Sequence, residues 1–439
     1  MMFSLHGVRV PHRKGTADKD TVQMAPPARV VLPMAMHIGR PAEVVVKVGD
    51  TVKVGTRIGA AVGAISSPVF SSVSGKVVAV QDFVLASGAL TKAVVIESNG
   101  EMTVDEMIAP PVVTSRDTLL SALAESGIVG LGGAGFPTHV KLNVPPEKIE
   151  YLVLNGAECE PYVTSDTQTM CTRGADMATA LTALAQWLGV RRAVIGIEAN
   201  KPRAIAAMRA LAAQLADTLT LTVQVLPSVY PQGGEKVLIY RTTGRKVPSG
   251  KLPIDVGCVV LNCTTLAMIG AYLKTGMPLV EKCVTVAGAA VKEPQNVLVP
   301  IGTAMADVFA FCGGYTEAPK KLLYGGPMMG VTAADDTAPI LKNTNAILAL
   351  TARELKTPKC TACIHCGSCV NSCPFGLTPF MIAEAMARGD ALLLDQLSVM
   401  ACMECGCCSF VCPANRPLVQ TNKLAKVLLR EEKAKEGNK

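Results

Sequence analysis

The chain carries two cysteine runs near its end, and they constrain it more than any other feature. The first is Cys363, Cys366, Cys369 and Cys373 followed by Pro374; the second is Cys402, Cys405, Cys408 and Cys412 followed by Pro413. Both have the spacing C-x2-C-x2-C-x3-C-P, which holds a 4Fe–4S cluster, and two in tandem make a two-cluster module. Three close thiolates reach three corners of one cubane, and the fourth cysteine of each run serves the other cluster. The spacing therefore predicts one cluster on Cys363, Cys366, Cys369 and Cys412, and a second on Cys402, Cys405, Cys408 and Cys373. Structural zinc would show paired C-x2-C knuckles instead of a triple run closed by Cys-Pro. A disulfide framework belongs to short secreted chains, and nothing at the start of this one reads as a signal peptide. Cys360 and Cys407 lie close by and are read as non-ligands, because the other eight complete two clusters.

Ten of the sixteen cysteines fall between Cys360 and Cys412. The other six are expected to be small buried hydrophobes. So many thiols without a leader indicate a reducing compartment. Apolar residues make up 49% of the chain but aromatics only 4%, the composition of an alanine-rich α/β protein. No apolar run reaches the ~18 residues that a membrane-spanning helix needs. The net charge of +7 is modest and compatible with an anionic cofactor or an acidic partner. Nucleic-acid binding is excluded for want of a basic stripe interleaved with aromatics.

The pattern along the chain predicts a multidomain α/β protein. Residues 1–30 read as an extended arm. Residues 31–105 alternate as short strands with turns at Gly49-Asp50 and Gly75-Lys76, giving a barrel-sandwich domain like those of biotinyl and lipoyl carriers. Carriers need a lysine at a hairpin tip; none occurs between Lys53 and Lys76, so only the carrier fold is expected. Residues 106–280 alternate helix and strand and predict a mostly parallel sheet. Ser115 is expected to cap a helix to Glu125, and Asp166–Leu188 to form one long helix. Residues 281–345 return to strand signals as a small β-grasp-like domain. The two-cluster ferredoxin module occupies 355–420, and 421–439 is a charged tail expected to be a solvated end.

Three segments of the α/β region carry binding chemistry. Gly130-Leu131-Gly132-Gly133-Ala134-Gly135-Phe136-Pro137 is a loop whose backbone N–H groups can cradle a phosphate, with Lys141 within reach. Asn155-Gly-Ala-Glu158-Cys-Glu160-Pro161 follows a strand, at the sheet edge where α/β proteins bind nucleotides. Asn262-Cys-Thr-Thr265 follows another.

These segments, with Gly233-Gly234-Glu235, resemble the flavin- and NADH-binding subunit of respiratory complex I. In that family the glycine loop reads GRGGAGFPTGxKW and the acidic segment N-x-D-E-x-E-P; Leu131 and Ala157 stand here where it has Arg and Asp. The resemblance implies that Gly130, Gly132, Gly133, Gly135, Lys141, Asn155, Asn262 and Thr265 hold FMN. It also implies that Glu158, Glu160 and the glycine loop face NADH, with Phe136 beside its rings. Over nearly all of residues 1–420 the order of parts is similar to the C subunit of Rnf electron-transport complexes. That similarity includes HIGRPAEVVVKVGD (37–50) and GGPMMG (325–330).

The resemblance implies an oxidoreductase subunit passing electrons between NADH or NAD+ and ferredoxin through FMN and two 4Fe–4S clusters, coupled to ion translocation. A cobalamin or quinone reductase with the same parts, or a relay and docking subunit with a vestigial flavin site, is the alternative. No side chain is expected to act as an essential acid or base, and His139 and His365 are read as ordinary polar residues. The implied partners are membrane and ferredoxin-like subunits of such a complex, and ferredoxin. The implied location is peripheral, on the cytoplasmic face of the inner membrane.

Overall fold

The computed structural model describes residues 7–355 and 358–437. Residues 1–6 of the expected arm, 356–357 of the module and 438–439 of the tail lie outside the described residues. The arm stays extended. Val8 bridges Tyr230, and Val22–Gln23 (β1) joins the edge of a distant sheet.

The barrel sandwich follows in two antiparallel sheets. Arg29–Pro33 (β2), Leu90–Ser98 (β8), Gly75–Val84 (β7) and Thr51–Val52 (β4) form one, in that order. Glu43–Val44 (β3), Arg57–Ala60 (β5) and Val69–Phe70 (β6) form the other. Alternation puts Val30, Leu32, Ile58 and Val77 into the shared core.

The α/β domain begins at Arg116–Glu125 (α1). Ser115 caps it, its hydroxyl accepting the Thr118 N–H at 3.2 Å, as expected from the sequence. The glycine loop follows, then Thr138–Leu142 (α2). Tyr151–Gly156 (β9), Arg192–Glu198 (β10), Thr220–Leu226 (β11) and Cys258–Asn262 (β12) form a parallel sheet ordered β11-β10-β9-β12. Its helices include Pro202–Gln214 (α5), Glu235–Thr243 (α6) and Cys263–Thr275 (α7). The single helix expected over Asp166–Leu188 is two, Ser165–Thr172 (α3) and Gly174–Leu188 (α4). Arg173 leaves helical geometry at φ −114°, ψ 31°, and Gly174, a poor helix interior residue, starts the second segment.

Glu281–Ala287 (β13), Gln295–Pro300 (β14), Lys321–Tyr324 (β15), Val331–Ala333 (β16) and Ala346–Leu350 (β17) build a six-stranded mixed sheet ordered β1-β14-β13-β17-β15-β16. Met305–Phe311 (α8) covers its core, where Phe309 meets Tyr315 at 5.1 Å.

The cysteine module has short helices Ser368–Asn371 (α9), Pro379–Ala387 (α10), Ala391–Gln396 (α11) and Cys407–Phe410 (α12), then Leu418–Gly437 (α13). The expectation of a solvated tail is corrected here. Leu418, Asn422, Ala425 and Leu429 recur at helical spacing and are buried, and Ala425 and Leu429 share a core with Ile382 and Leu394. The charged residues occupy the other face.

Candidate cofactor sites

The eight motif cysteines fall into two groups of four. Cys363, Cys366, Cys369 and Cys412 line one cavity, together with His365 and Phe380, whose rings meet edge to face at 5.5 Å. Cys373, Cys402, Cys405 and Cys408 line a second. A single zinc ion would need its thiolates about 2.3 Å from one point. Among the described residues no three His, Cys, Asp or Glu side chains are grouped closely enough to hold one ion. Four thiols around a cavity fit a cubane instead, with the fourth cysteine of each run lining the other run's group. Cys407 also borders the second cavity, but its thiol lies 3.9 Å from the Tyr230 carbonyl oxygen and is buried in an apolar cluster. Cys360 is exposed and lines neither cavity.

The two cavities are placed differently. Cys405 and Cys407 pack with Val8, Val10, Cys159 and Tyr230, so the second cavity is set against the α/β domain. The fully buried Tyr230 donates its hydroxyl to the Cys405 carbonyl at 2.7 Å. Met328, in the GGPMMG turn, joins the same cluster. The first cavity faces outward, with Cys366 exposed and Ile364 67% exposed.

The flavin residues expected from the sequence converge on the C-terminal edge of β9 and β12, where Asn155 and Asn262 are register partners. The glycine loop folds onto this edge. Leu131 donates its N–H to the Thr265 hydroxyl at 2.9 Å, and Gly130 donates to the Phe136 carbonyl at 2.7 Å. Gly132, Gly133 and Ala134 are exposed, and among the described residues their three N–H groups have no partner. Gly133 has φ +132°, open to glycine, and a Cβ built there would meet nothing within 4 Å. Unpaired amides on a glycine turn form an anion nest, so the loop fits a phosphate of a nucleotide. Lys141, on α2 just after the loop, pairs its ammonium at 2.8 Å with Glu235 in the first turn of α6.

Other expected residues act inside the fold. Asn262 caps α7, accepting the Thr264 and Thr265 N–H groups, and donates to Asp166 at 2.7 Å. Asn155 donates to the Gly233 carbonyl at 2.9 Å, joining the acidic segment to the Gly233-Gly234 turn. The Glu158 carboxylate caps α3, accepting from the Asp166 N–H at 2.7 Å and the Thr167 hydroxyl at 2.6 Å. Burial raises its pKa to about 7. The Glu160 carboxylate accepts the Met328 and Met329 N–H groups at 3.0 and 2.8 Å, so it fastens the GGPMMG turn beside the second cavity. Both carboxylates are thus engaged by backbone amides of this chain. His139 is half-buried on α2, which lowers its pKa.

Sequence reasoning missed several residues that build this site. Asp166 is buried and accepts from Asn262 and, at 2.6 Å, from the Thr264 hydroxyl. Lys14 of the arm donates to the carbonyls of Glu158, Glu160 and Val163 at 2.8, 2.8 and 2.5 Å. Burial lowers its pKa to about 8. Nothing in a polar arm marks one lysine for such a role. Replacing Lys14 with Met is expected to strand three carbonyls and to lower stability by about 2–4 kcal/mol. Chemical denaturation checks this, with Lys19→Met, whose ammonium meets one exposed carbonyl, as the control.

His37 lies on the barrel side of the glycine loop, against Gly135. Its Nε2 lies 3.0 Å from the Arg40 carbonyl and accepts the Ser67 N–H at 3.1 Å. Burial, then the Lys342 ammonium, lowers its pKa to about 4. A folded pKa below the unfolded value gives stability that is present above pH ~6.5 and lost as pH falls toward 4. The expected loss over that window is on the order of 1–2 kcal/mol, discounted for partial exposure. In thermal melts at pH 7 and pH 5, His37→Gln should narrow the difference between the two midpoints.

Comparison with known proteins agrees with this layout. Residues 3–101 match the RnfC barrel sandwich hybrid domain, and 123–271 the Nuo51 FMN-binding domain. Residues 283–332 match the SLBB domain, and 362–416 the 4Fe-4S dicluster domain. The C subunit of the Na(+)-translocating ferredoxin:NAD(+) oxidoreductase complex of Acetobacterium woodii is 43% identical, over 96% of this chain and 95% of its own. The C subunit of the proton-translocating ferredoxin:NAD(+) oxidoreductase complex of Clostridium ljungdahlii is 41% identical, over 84% and 81%. The C subunit of the ion-translocating oxidoreductase complex of Rhodobacter capsulatus is 40% identical, over 99% and 84%. A crystal structure of an NAD+-reducing NiFe-hydrogenase in the air-oxidized state shares the fold, with TM-score 0.51 and 18% identity over 72% of this chain and 62% of that one. Identity at this level across nearly the whole length, with the four domains in order, means that the chain belongs to the family of C subunits of Rnf-type ion-translocating oxidoreductase complexes.

Proposed function

We propose that this chain is the subunit of an Rnf-type complex at which NADH or NAD+ exchanges electrons, using FMN and two 4Fe–4S clusters, with ferredoxin at the other end of the complex. The observation that carries the reading is the pair of four-cysteine cavities, one packed against a nucleotide-type α/β edge and the other facing outward. Bound FMN supplies the exchange between a two-electron hydride and single electrons, and clusters carry electrons singly. The protein's own part is to hold, orient and insulate.

The amides of Gly132, Gly133 and Ala134 would hold the flavin phosphate, with Lys141 able to exchange Glu235 for it. Asn155, Asn262 and Thr265 act one layer back, fixing the loops that make the edge. Tyr230 ties that edge to the Cys405 carbonyl, so the second cysteine group is the entry side of the module and the first, near Ile364, its exit. Glu160, through Met328, seals the junction between them with apolar side chains. Among the described residues no helix is long and apolar enough to cross a membrane. Kinship with ion-translocating complexes supports a place at a membrane. On this reading the subunit is peripheral, on the cytoplasmic face where NADH is supplied, and docks to membrane and ferredoxin-like subunits through the exposed side of the module.

Gly133→Val tests the site. Its φ of +132° disfavours a branched residue, and the side chain would enter the open space above the amides. Flavin content is expected to fall below about one tenth of wild type with iron unchanged. A variant that retains its flavin would move the site elsewhere.

A further inference from the structure

Two of the three unpaired amides in the glycine loop are aimed by residues from outside the α/β domain. Asn343 Nδ2 donates to the Gly133 carbonyl oxygen at 2.6 Å. The ammonium of Lys282, on β13, donates to the Leu131 carbonyl at 3.3 Å and is itself held by Asn345 Oδ1 at 2.7 Å. A trans peptide is planar, with its N–H opposite its C=O. Drawing the Leu131 carbonyl outward therefore turns the Gly132 N–H inward, and drawing the Gly133 carbonyl outward turns the Ala134 N–H inward.

The segment that does this is itself locked. Lys342, 1% exposed, donates to the Ser67 hydroxyl at 3.2 Å, the Pro68 carbonyl at 2.6 Å and the Gly127 carbonyl at 2.8 Å. Thr344 closes a turn with Leu341 through paired bonds of 3.1 and 3.0 Å. From the barrel side Ile38 donates its N–H to the Gly135 carbonyl at 3.0 Å.

We propose that Asn343, backed by Lys282 and Asn345, is a positioning residue that orients the loop amides toward a flavin phosphomonoester and so sets the preference for FMN over unphosphorylated flavin. The β domain, which supplies no atom to the nest, thereby controls its affinity. A glycine loop without this clamp is free to rotate its peptides, because glycine tolerates either orientation.

The inference rests on the FMN reading, and binding of two flavins separates them. Full-length wild type, Asn343→Ala and Asn343→Asp are stripped of flavin, and FMN and riboflavin are titrated by flavin fluorescence. Iron content and melting midpoint are recorded alongside. Wild type should bind FMN more tightly than riboflavin. Asn343→Ala should weaken FMN about tenfold and riboflavin less than about twofold, the size of one lost hydrogen bond. Asn343→Asp, which cannot donate and adds a negative charge near the nest, should weaken FMN further. FMN affinity unchanged in both variants, or FMN and riboflavin weakened equally, overturns the positioning role. A wild-type chain with no FMN affinity overturns the functional reading, and this inference with it.

Discussion

Cys408→Ser is expected to lose about four of about eight iron atoms per chain and to retain its flavin, because the eight cysteines form two separate groups of four. Reduction of the flavin by NADH should persist, while NADH-driven transfer to a protein one-electron acceptor should fall by at least about 100-fold. The size follows from position. Cys408 belongs to the group packed against the α/β domain, through Cys405, Tyr230 and Val8, so its loss cuts the route at the entry. Cys366→Ser should lose a similar amount of iron, yet leave the group nearer the α/β edge able to accept electrons. Iron analysis with electron paramagnetic resonance of both variants checks the pair. Full iron in either variant would refute the grouping.

Gly270→Ala is expected to cost about 3 kcal/mol or more, a large effect for one methyl group. Gly270 lies in α7 where that helix crosses α4. A Cβ there would lie 2.6 Å from the Asp176 carbonyl carbon and 3.1 Å from Ala180 N, both backbone atoms. Backbone cannot rotate away, so the helices must separate. The N-cap of α7, Asn262, and Thr265 in its first turn hold Asp166 and the glycine loop. Flavin occupancy should therefore drop together with the melting midpoint, and iron content should drop less, because the module has its own core around Ile382, Leu394 and Leu429. An unchanged midpoint would mean that α4 and α7 are not packed this closely.

What can be read from the sequence follows from how local each signal is. Cluster ligands must lie at set spacings to reach one cubane, so the cysteine runs are legible residue by residue. The strands of the parallel sheet are short apolar runs, and Ser115 announces its helix within four residues. The break at Arg173 is less visible, because only the Arg-Gly pair marks the junction between a threonine-rich segment and the alanine-rich one that follows. The tail misleads because its lysines outnumber the few apolar residues that recur on one face. The glycine loop is legible as a loop, but its internal partners are not. Glu160 meets Met328 from 168 residues away and Asn343 meets Gly133 from 210 residues away. No local pattern encodes such pairs. The acidic residues of NGAECEP look ready for a ligand for the same reason, since the amides that engage them come from a helix start and a distant turn.

The most direct test of the account is anaerobic purification with iron, sulfide and flavin analysis, followed by NADH titration under optical and paramagnetic-resonance observation. The account predicts about eight iron atoms and one non-covalent FMN per chain, bleaching of the flavin by NADH, and signals from two distinct reduced clusters. A chain that holds both clusters but no flavin, or whose flavin and clusters stay oxidised under excess NADH, would contradict it.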